Sequence, residues 1–329
     1  MELAPGGDAA PTAVTVVLPN YNGRALLRRF LPSVVRAAGA ITPPAHVIVV
    51  DDASTDASVE LLRDEWPQIE VILNERNVGF AAAANRGVSA AGSPLVLLLN
   101  TDTRPAMNAL GPLVQCMEEH PDAAAVVPKI IQTRTGGTCE SVVFGTFRRG
   151  LFRLQRHPEL CESDRVLPVL YPCGAAVMLR RDVFLRLGGF DRLFAPFYWE
   201  DTDLGYRMWR SGYQVLYEPR GRVLHYHPGV IKTSHSPERA DFMQDRNRFL
   251  FTWKNLDRPL LMWHFALLPA HVVVSSLTGR RRFVAALCSA LRALPASLLR
   301  RRSRGPGALS SRGIFERARA TGVLDRAQR

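Results

Sequence analysis

Short apolar runs recur along the first third of the chain, each followed by a polar cluster. Val14-Thr15-Val16-Val17-Leu18, Val47-Ile48-Val49-Val50 and Leu95-Val96-Leu97-Leu98-Leu99 have the length and apolar continuity of strands buried on both faces. Glu70 to Leu73 is a shorter strand. Leu26, Leu27, Phe30, Leu31, Val34 and Val35 recur at helical spacing, and Ser58 to Trp66 and the Ala-rich Phe80 to Ala91 read as further helices. Strands alternating with helices predict βαβ units and an α/β fold with a mainly parallel sheet flanked by helices. Right-handed crossovers put the carboxyl ends of these strands on one side.

The second half is less regular. Met107 to Glu119 is helical by spacing, and Ala123 to Ile131 contains a strand. Gln132 to Leu167 lacks an apolar period, so excursions or a hairpin are expected there. Cys173 to Leu179 is strand-like, a helix opens at Glu200, and Gln214 to Glu218 and Arg222 to Leu224 are short strands. Pro259 to Leu277 is apolar but holds His264, Pro269 and His271. Phe283 to Leu299 is a second apolar stretch, flanked by Arg280-Arg281-Arg282 and Arg300-Arg301-Arg302.

In an open α/β sheet, ligands bind just outside the carboxyl ends of the strands. Three loops meet there: Pro19-Asn20-Tyr21-Asn22-Gly23, Asp51 to Asp56, and Asn100-Thr101-Asp102-Thr103. A nucleotide fits that layout. An aromatic such as Tyr21 can flank a base, and an Asp can accept from a base N–H or a ribose hydroxyl. Asp102 can hold a divalent cation that in turn holds a diphosphate. Each loop taken singly also reads as turn or cap chemistry. No G-x-G-x-x-G follows the first strand, which argues against a nicotinamide site, and no G-x-x-x-x-G-K-[ST] is present.

A second cluster runs Gly188-Gly189-Phe190-Asp191, then Tyr198-Trp199-Glu200-Asp201-Thr202-Asp203-Leu204. Acids are favoured at a helix N-terminus by the dipole alone, and Asp203–Arg207 is an i,i+4 pair. A carboxylate beside other acids in a partly desolvated pocket has a raised pKa and can serve as a general base. His225-Tyr226-His227 ends a strand, with both histidines on one face. His235 and Arg239 are weaker candidates for phosphate contacts.

Val14 to Gly23, Asp51-Asp52-Ala53-Ser54-Thr55-Asp56, Asn77-Val78-Gly79-Phe80-Ala81 through Asn85, Asn100-Thr101-Asp102 and Glu200-Asp201 resemble, in order, the motifs of family 2 glycosyltransferases. The resemblance covers roughly residues 13 to 256. It implies the GT-A fold, a Rossmann-like sheet, and a nucleotide-sugar donor. Pro19, Asn20, Tyr21, Asn22, Asp51, Asp52, Asn77, Gly79, Asn85, Asn100 and Thr101 then line the donor site, with Asp52 on the base and Asn85 close to the nucleotide. Asp102 becomes a ligand of Mg²⁺ or Mn²⁺, with His225 as second ligand and His227 as its alternative. Asp201 becomes the base of an inverting transfer. Glu200, Trp199, Gly174 and Asp203 fall to the acceptor side or support it, Trp199 reading equally as a sugar platform or a core aromatic. Asn100 and Thr101 stand where other members carry acids, which leaves one strong carboxylate ligand.

Composition adds a location. The 329 residues are 47% hydrophobic and 22% charged, a globular balance, with a net charge of +12. Fourteen arginines and only Asp257, Glu316 and Asp325 lie from Leu256 onward. Apolar stretches between Arg clusters suit an interfacial helix on an anionic membrane surface. No aromatic-basic recognition motif accompanies them, so nucleic acid is not expected as a partner.

The expected organisation is a disordered lead-in without signal-peptide character over 1–12 and a catalytic domain over 13–256. That domain divides into a nucleotide half, 13–105, and an acceptor half, 106–256. A helical membrane-associating extension over 257–302 and a flexible basic tail over 303–329 follow. Five cysteines without a C-x-x-C pair read as thiols in a reducing compartment, and the expected place is cytoplasmic, peripheral at the inner face of the plasma membrane. The expected activity is metal-dependent, inverting transfer from dTDP-rhamnose or a UDP-sugar to a hydroxyl of a cell-envelope or polyprenyl-linked glycan. The alternatives are a nucleotide-binding member without catalysis and an RNA-binding protein that uses the Arg-rich tail.

Overall fold

The structure, a computed structural model, describes residues 12–133, 136–226, 236–301 and 308–318. The predicted strands form in the predicted places: β1 Val14–Asn20, β2 His46–Asp51, β3 Glu70–Leu73 and β4 Leu95–Leu99. β1 pairs β2 and β4 in parallel, and β2 pairs β3 in parallel. β4 is buried along its whole length because it lies between β1 and the antiparallel β11, Ala176–Arg180. The helices α1 Arg24–Gly39, α2 Ser58–Glu65 and α3 Phe80–Ala90 complete the crossovers. α3 approaches the sheet closely: a Cβ on Gly87 would stand 2.4 Å from Val17 Cγ1 and 2.8 Å from Val50 Cγ2.

Beyond β4 come β5 Thr103–Pro105, α4 Leu110–Glu119, β6 Ala123–Gln132 and β7 Thr138–Cys139. The segment without an apolar period contains a hairpin, β8 Val143–Arg148 with β9 Leu151–Arg156, and then β10 Leu167–Pro168. After β11 and α5 Arg181–Arg186, α6 Glu200–Arg210 leads into β12 Gln214–His225. The sheet order is β10-β12-β6-β11-β4-β1-β2-β3, with β5 on β12 and β7 on β6. The two short strands expected from 214 to 224 are one strand. It keeps its parallel partner β6 on both sides of a register shift between Glu218 and Arg222, so the local break in the pattern does not end it.

Four further differences from the sequence reading are long-range in origin. The strand expected from Cys173 begins at Ala176, where pairing with Leu99 starts. Cys139 and Cys161 form a disulfide across a sequence separation of 22, which corrects the expectation of five thiols; Cys116, Cys173 and Cys288 remain free. A helix, α7 Pro237–Asn255, precedes the tail. Finally, Ser311–Arg317 is helical (α11) within the segment expected to be flexible, because Ile314 and Phe315 are buried and Phe315 meets Phe152. Between α7 and α11 lie α8 Arg258–Leu277, α9 Arg281–Arg292 and α10 Leu294–Leu299. Several tail arginines are engaged internally. Arg301 donates to the carbonyl of Trp253 at 2.9 Å, and Arg282 pairs with Asp241 and Asp245.

Candidate active site

The three predicted loops meet at the carboxyl edge of β1, β2 and β4, with Asn20 and Asp51 in register. Most of their polar atoms are engaged in shaping one another. Asp51, buried, accepts from Asn20 Nδ2 at 2.8 Å, Ser54 N at 2.9 Å and Ser54 Oγ at 2.7 Å. Asn22 Oδ1 accepts from Thr55 N at 2.7 Å. The sequence reading placed Asp51 and Asn22 on the donor; the structure makes them the internal ties of the first two loops. Asp52 accepts from Asn74 Nδ2 at 2.6 Å, Val78 N at 3.0 Å and Gly79 N at 2.8 Å. It thereby fixes the start of α3 and keeps about one acceptor direction for another donor. Gly79, at φ 84° and ψ 163°, occupies backbone space that only glycine enters readily. Asn77 caps it, with Oδ1 accepting from Gly79 N at 3.1 Å. Pro19 and Tyr21 are half-buried at the rim. Asn20 keeps one buried atom, Oδ1, without a partner.

Asn85, expected close to the nucleotide, has its amide engaged within the scaffold. Its amide donates to the Phe190 carbonyl at 2.9 Å and its Oδ1 accepts from Phe190 N at 2.8 Å. It is a clip between α3 and the Gly188–Asp191 turn, across 105 residues of chain.

The third loop carries the candidate metal centre. Asn100 N donates to the Ala175 carbonyl at 3.0 Å, and the Asn100 carbonyl accepts from Thr103. This turn buries Thr101 and Asp102. Asp102 Oδ1 lies 3.4 Å from His225 Nε2. His225 Nδ1 donates to Glu140 Oε1 at 2.6 Å, and Glu140 also accepts from Gln132 Nε2. Burial opposes charge on His225, but its hydrogen bonds to Asp102 and Glu140 outweigh it and raise the pKa to about 9. Burial raises Glu140, but the hydrogen bond and charge of His225, with the Gln132 hydrogen bond and the Arg156 charge, together outweigh it and lower the carboxyl below its ordinary range. Among the described residues no three His, Cys, Asp or Glu converge as a complete ligand set. An oxygen and a nitrogen facing each other across 3.4 Å nonetheless suit a cation that draws its remaining ligands from phosphate and water. His227 and His235 lie outside the described residues.

The carboxylate cluster sits across the β4–β11 pair from this loop. Gly174 N, just before β11, donates to Asp201 Oδ2 at 3.3 Å, while Thr202 N and Oγ1 donate to Oδ1 at 2.6 and 3.3 Å. Oδ2 is therefore the less engaged oxygen of a partly accessible side chain. Burial is the main cause that lifts Asp201 to about 6. Burial, then the charge of Asp201, lifts Glu200 to about 8, and its buried Oε2 has no partner. Burial therefore favours the protonated form more strongly in Glu200, which leaves Asp201 the more readily charged of the two. The Tyr198–Trp199 backbone leading in has positive φ at both residues, 72° and 79°. The buried Asn247 holds it, donating to the carbonyls of Phe194, Phe197 and Tyr198 at 2.8–3.0 Å.

Two expected acceptor residues are structural. Trp199 is buried against Phe152 and Phe251, ring centroids 5.9 and 5.3 Å away, so it is a core aromatic and not a sugar platform. Asp203, fully buried, pairs with Arg207 and Lys254, each at 2.7 Å, and accepts from Asn255. Those cations draw its carboxyl below the ordinary range against the effect of burial. Sequence reasoning missed Glu140, Asn74 and Asn247. Glu140 lies in the segment without periodicity, 85 positions from the histidine it holds, and nothing local marks it.

The raised pKa of Glu200 has a consequence for stability. Its folded value of about 8 lies above the ordinary 4.5, so the folded protein binds more protons than the unfolded chain between them. Stability from this group is complete below pH ~4.5 and is lost as pH rises towards about 8. Glu200→Gln is expected to gain in Tm relative to the parent as pH increases from 5 to 8. A Tm difference independent of pH in calorimetry contradicts this.

The sequence profile of glycosyl transferase family 2 matches residues 15–188. The chain belongs to glycosyltransferase family 2. This glycosyltransferase is 27% identical over 300 residues to the N-acetylglucosaminyl-diphospho-decaprenol L-rhamnosyltransferase of Mycobacterium tuberculosis, covering 81% of this chain and 95% of that one. The validoxylamine A glucosyltransferase of Streptomyces hygroscopicus is 28% identical over 63% of this chain and 54% of its own. S. aureus TarS 1–349 in complex with UDP-GlcNAc shares the fold at TM-score 0.57 and 15% identity, over 87% of this chain and 82% of that one. The mannosyltransferase PcManGT of Pyrobaculum calidifontis, in complex with GDP-Man and Mn²⁺, does so at TM-score 0.51 and 16% identity, over 91% and 88%. The fold of the glycosyltransferase is thus GT-A, with a helical C-terminal region.

Proposed function

We propose that this glycosyltransferase moves a sugar from a nucleoside-diphosphate donor to a hydroxyl of a prenyl-linked glycan at a membrane surface, with inversion. The observation that carries it is the placement of two charge centres across one strand pair. Leu99 and Ala176 are in register. Three residues beyond Leu99 stands Asp102 with His225; two residues before Ala176 stands Gly174, which holds Asp201. A donor whose diphosphate lies on the first centre presents its anomeric carbon towards the second.

Asp201 Oδ2 takes the proton of the acceptor hydroxyl as that oxygen bonds to the anomeric carbon. The bond from that carbon to the diphosphate breaks, and its electron pair leaves with the nucleoside diphosphate. Glu200, kept protonated, adds no second charge beside the base. Asp102 and His225 would hold the Mg²⁺ or Mn²⁺, which offsets charge on the departing diphosphate. Glu140 fixes the His225 ring with Nε2 turned to Asp102, the arrangement in which a carboxylate orients a ligating imidazole. The M. tuberculosis relative is named an N-acetylglucosaminyl-diphospho-decaprenol L-rhamnosyltransferase, which supports a lipid-linked glycan acceptor and a rhamnosyl donor for this chain. Residues 257–302 would be the part in contact with anionic lipid, since α8 exposes Met262, Trp263 and Leu277, and Arg280 and Arg281 follow its C-terminal end.

The test is thermal stabilisation by dTDP, UDP and GDP, each with and without Mn²⁺. One nucleotide is expected to raise Tm more with metal than without. His225→Ala is expected to remove the metal-dependent part, and Glu140→Ala to weaken Mn²⁺ about tenfold or more in a titration with nucleotide present. Stabilisation by no nucleotide overturns the reading, and stabilisation indifferent to both metal and His225 overturns the metal centre.

A further inference from the structure

Helix α8, Arg258–Leu277, is built the wrong way round for a helix packed on a soluble protein. Among the described residues it is the one helix long and apolar enough to cross a membrane, yet little of it is buried. Its two buried residues are polar, His264 and Ser275. Leu260, Leu261, Leu268 and Val272 are half-buried against the core, but other large apolar residues face outward: Met262 is 73% exposed, Trp263 63% and Leu277 83%. An exposed apolar face of this kind marks a contact site.

The polar side of the helix clamps the tip of the β8–β9 hairpin. His264 Nδ1 donates to the Gly150 carbonyl at 2.6 Å, while its Nε2 accepts from Trp253 Nε1 at 3.0 Å. His271 Nε2 donates to the Arg149 carbonyl at 2.7 Å. Gly150, at φ 76°, is fitted so closely that a Cβ there would stand 3.0 Å from Leu267 Cβ. The clamp leaves a pocket of about 270 Å³ between hairpin and helix, lined by Phe147, Arg149, Gly150, Leu260, Trp263 and Leu267. All but one of those side chains are apolar or absent. The exception is the exposed Arg149, next to the equally exposed Arg148.

The inner wall of the pocket leads to the acceptor side of the active site. Phe147 pairs across the hairpin with Phe152, and the Phe152 ring meets Trp199 edge-on at 5.9 Å. Trp199 immediately precedes Glu200 and Asp201. An apolar slot with a cation beside it, separated from the carboxylate cluster by the Phe152 and Trp199 rings and open to an apolar surface, matches a ligand with a short hydrocarbon end and an anionic head. The volume falls just below the usual range for ligand pockets, roughly 300–1,000 Å³, and admits only part of a lipid.

We propose that this pocket binds the phosphate-proximal isoprene units of a prenyl phosphate, with Arg149 at the phosphate. The proposal rests on the reading of a prenyl-linked acceptor and assigns its lipid a place on the protein. The Arg149 guanidinium supplies a charge-assisted hydrogen bond to the head. Leu260, Leu267, Phe147 and Trp263 take the chain, each buried methylene contributing roughly fourfold in affinity.

The experiment is calorimetric titration of the full chain, without detergent, with geranyl phosphate below its micelle concentration. Isopentenyl phosphate, geraniol and inorganic phosphate are titrated in parallel. Saturable one-site binding of geranyl phosphate, at least tenfold tighter than isopentenyl phosphate and with inorganic phosphate weaker still, is the expected result. Leu260→Trp, which fills the slot, is expected to weaken it at least tenfold. Arg149→Ala is expected to weaken geranyl phosphate but not geraniol. Thermal stabilisation by nucleotide, read on the same samples, shows that each variant is folded and tests the transferase reading separately. Binding unaffected by Leu260→Trp overturns the pocket. So does wild-type protein that sediments with phosphatidylglycerol vesicles yet shows no saturable geranyl phosphate binding, which would leave the outer face of α8 as a plain membrane contact.

Discussion

Asp201→Asn is expected to lower kcat by about 10²–10⁴-fold, the usual range for a lost general base, while nucleotide binding is retained. The substitution keeps shape, and the Gly174 and Thr202 donors can still reach an amide oxygen. What disappears is the ability to take a proton at Oδ2. Because burial raises the Asp201 pKa to about 6, the parent enzyme is expected to lose activity well below that pH and to gain it as pH rises through it. The Asn variant is expected to lose this limb of the profile along with the rate. Single-turnover rates against pH, with nucleotide affinity measured alongside, decide the matter. A variant with near-parental rate and an unchanged acid limb removes Asp201 from the chemistry.

The largest effect on stability is expected two residues further along. Asp203→Ala leaves Arg207 and Lys254 buried without the carboxylate that both contact at 2.7 Å. Removing one partner of a buried ion network costs about 3–5 kcal/mol, which for a chain of this size lowers Tm by roughly 10 °C. The loss is moderated because Lys254 keeps Asp191 at 2.7 Å and Arg207 keeps the carbonyls of Leu187 and Gly189. Those same bonds tie α6, through Arg207, and α7, through Lys254, to the turn that Asn85 holds from the other side. Activity per folded molecule is therefore expected to fall as well, and a Tm within 2 °C of the parent (about 1 kcal/mol or less) contradicts the structural role assigned to Asp203.

The three acids in the first turn of α6 illustrate how far local pattern reaches. Glu200, Asp201 and Asp203 all open the same helix, and the dipole favours all three there. Their fates differ because of what lies opposite. Glu200 meets no partner for Oε2, Asp201 meets a single long bond from Gly174, and Asp203 meets two cations. Asp51 and Asp52 repeat the lesson: adjacent acids in one motif, the first consumed within its own loops and the second anchoring the next helix.

The sequence by itself determined the elements whose burial repeats locally. β1, β2, β3 and β4 and the helices between them follow from apolar runs and helical spacing, because side-chain period is a property of consecutive residues. It also determined that the polar strand ends share one edge, since crossover handedness is nearly invariant. Only the tertiary structure decided which of the marked polar residues face that edge and which serve the scaffold. Glu140 reaches His225 across 85 residues, Asn85 reaches Phe190 across 105, and Cys139 meets Cys161 inside a segment with no period at all. The inverted face of α8 belongs with these. Composition marks the helix as apolar, but the burial of His264 comes from a partner on a hairpin more than a hundred residues earlier. Hydrogen bonds and close packing between distant segments depend on register and approach, and no local period encodes them.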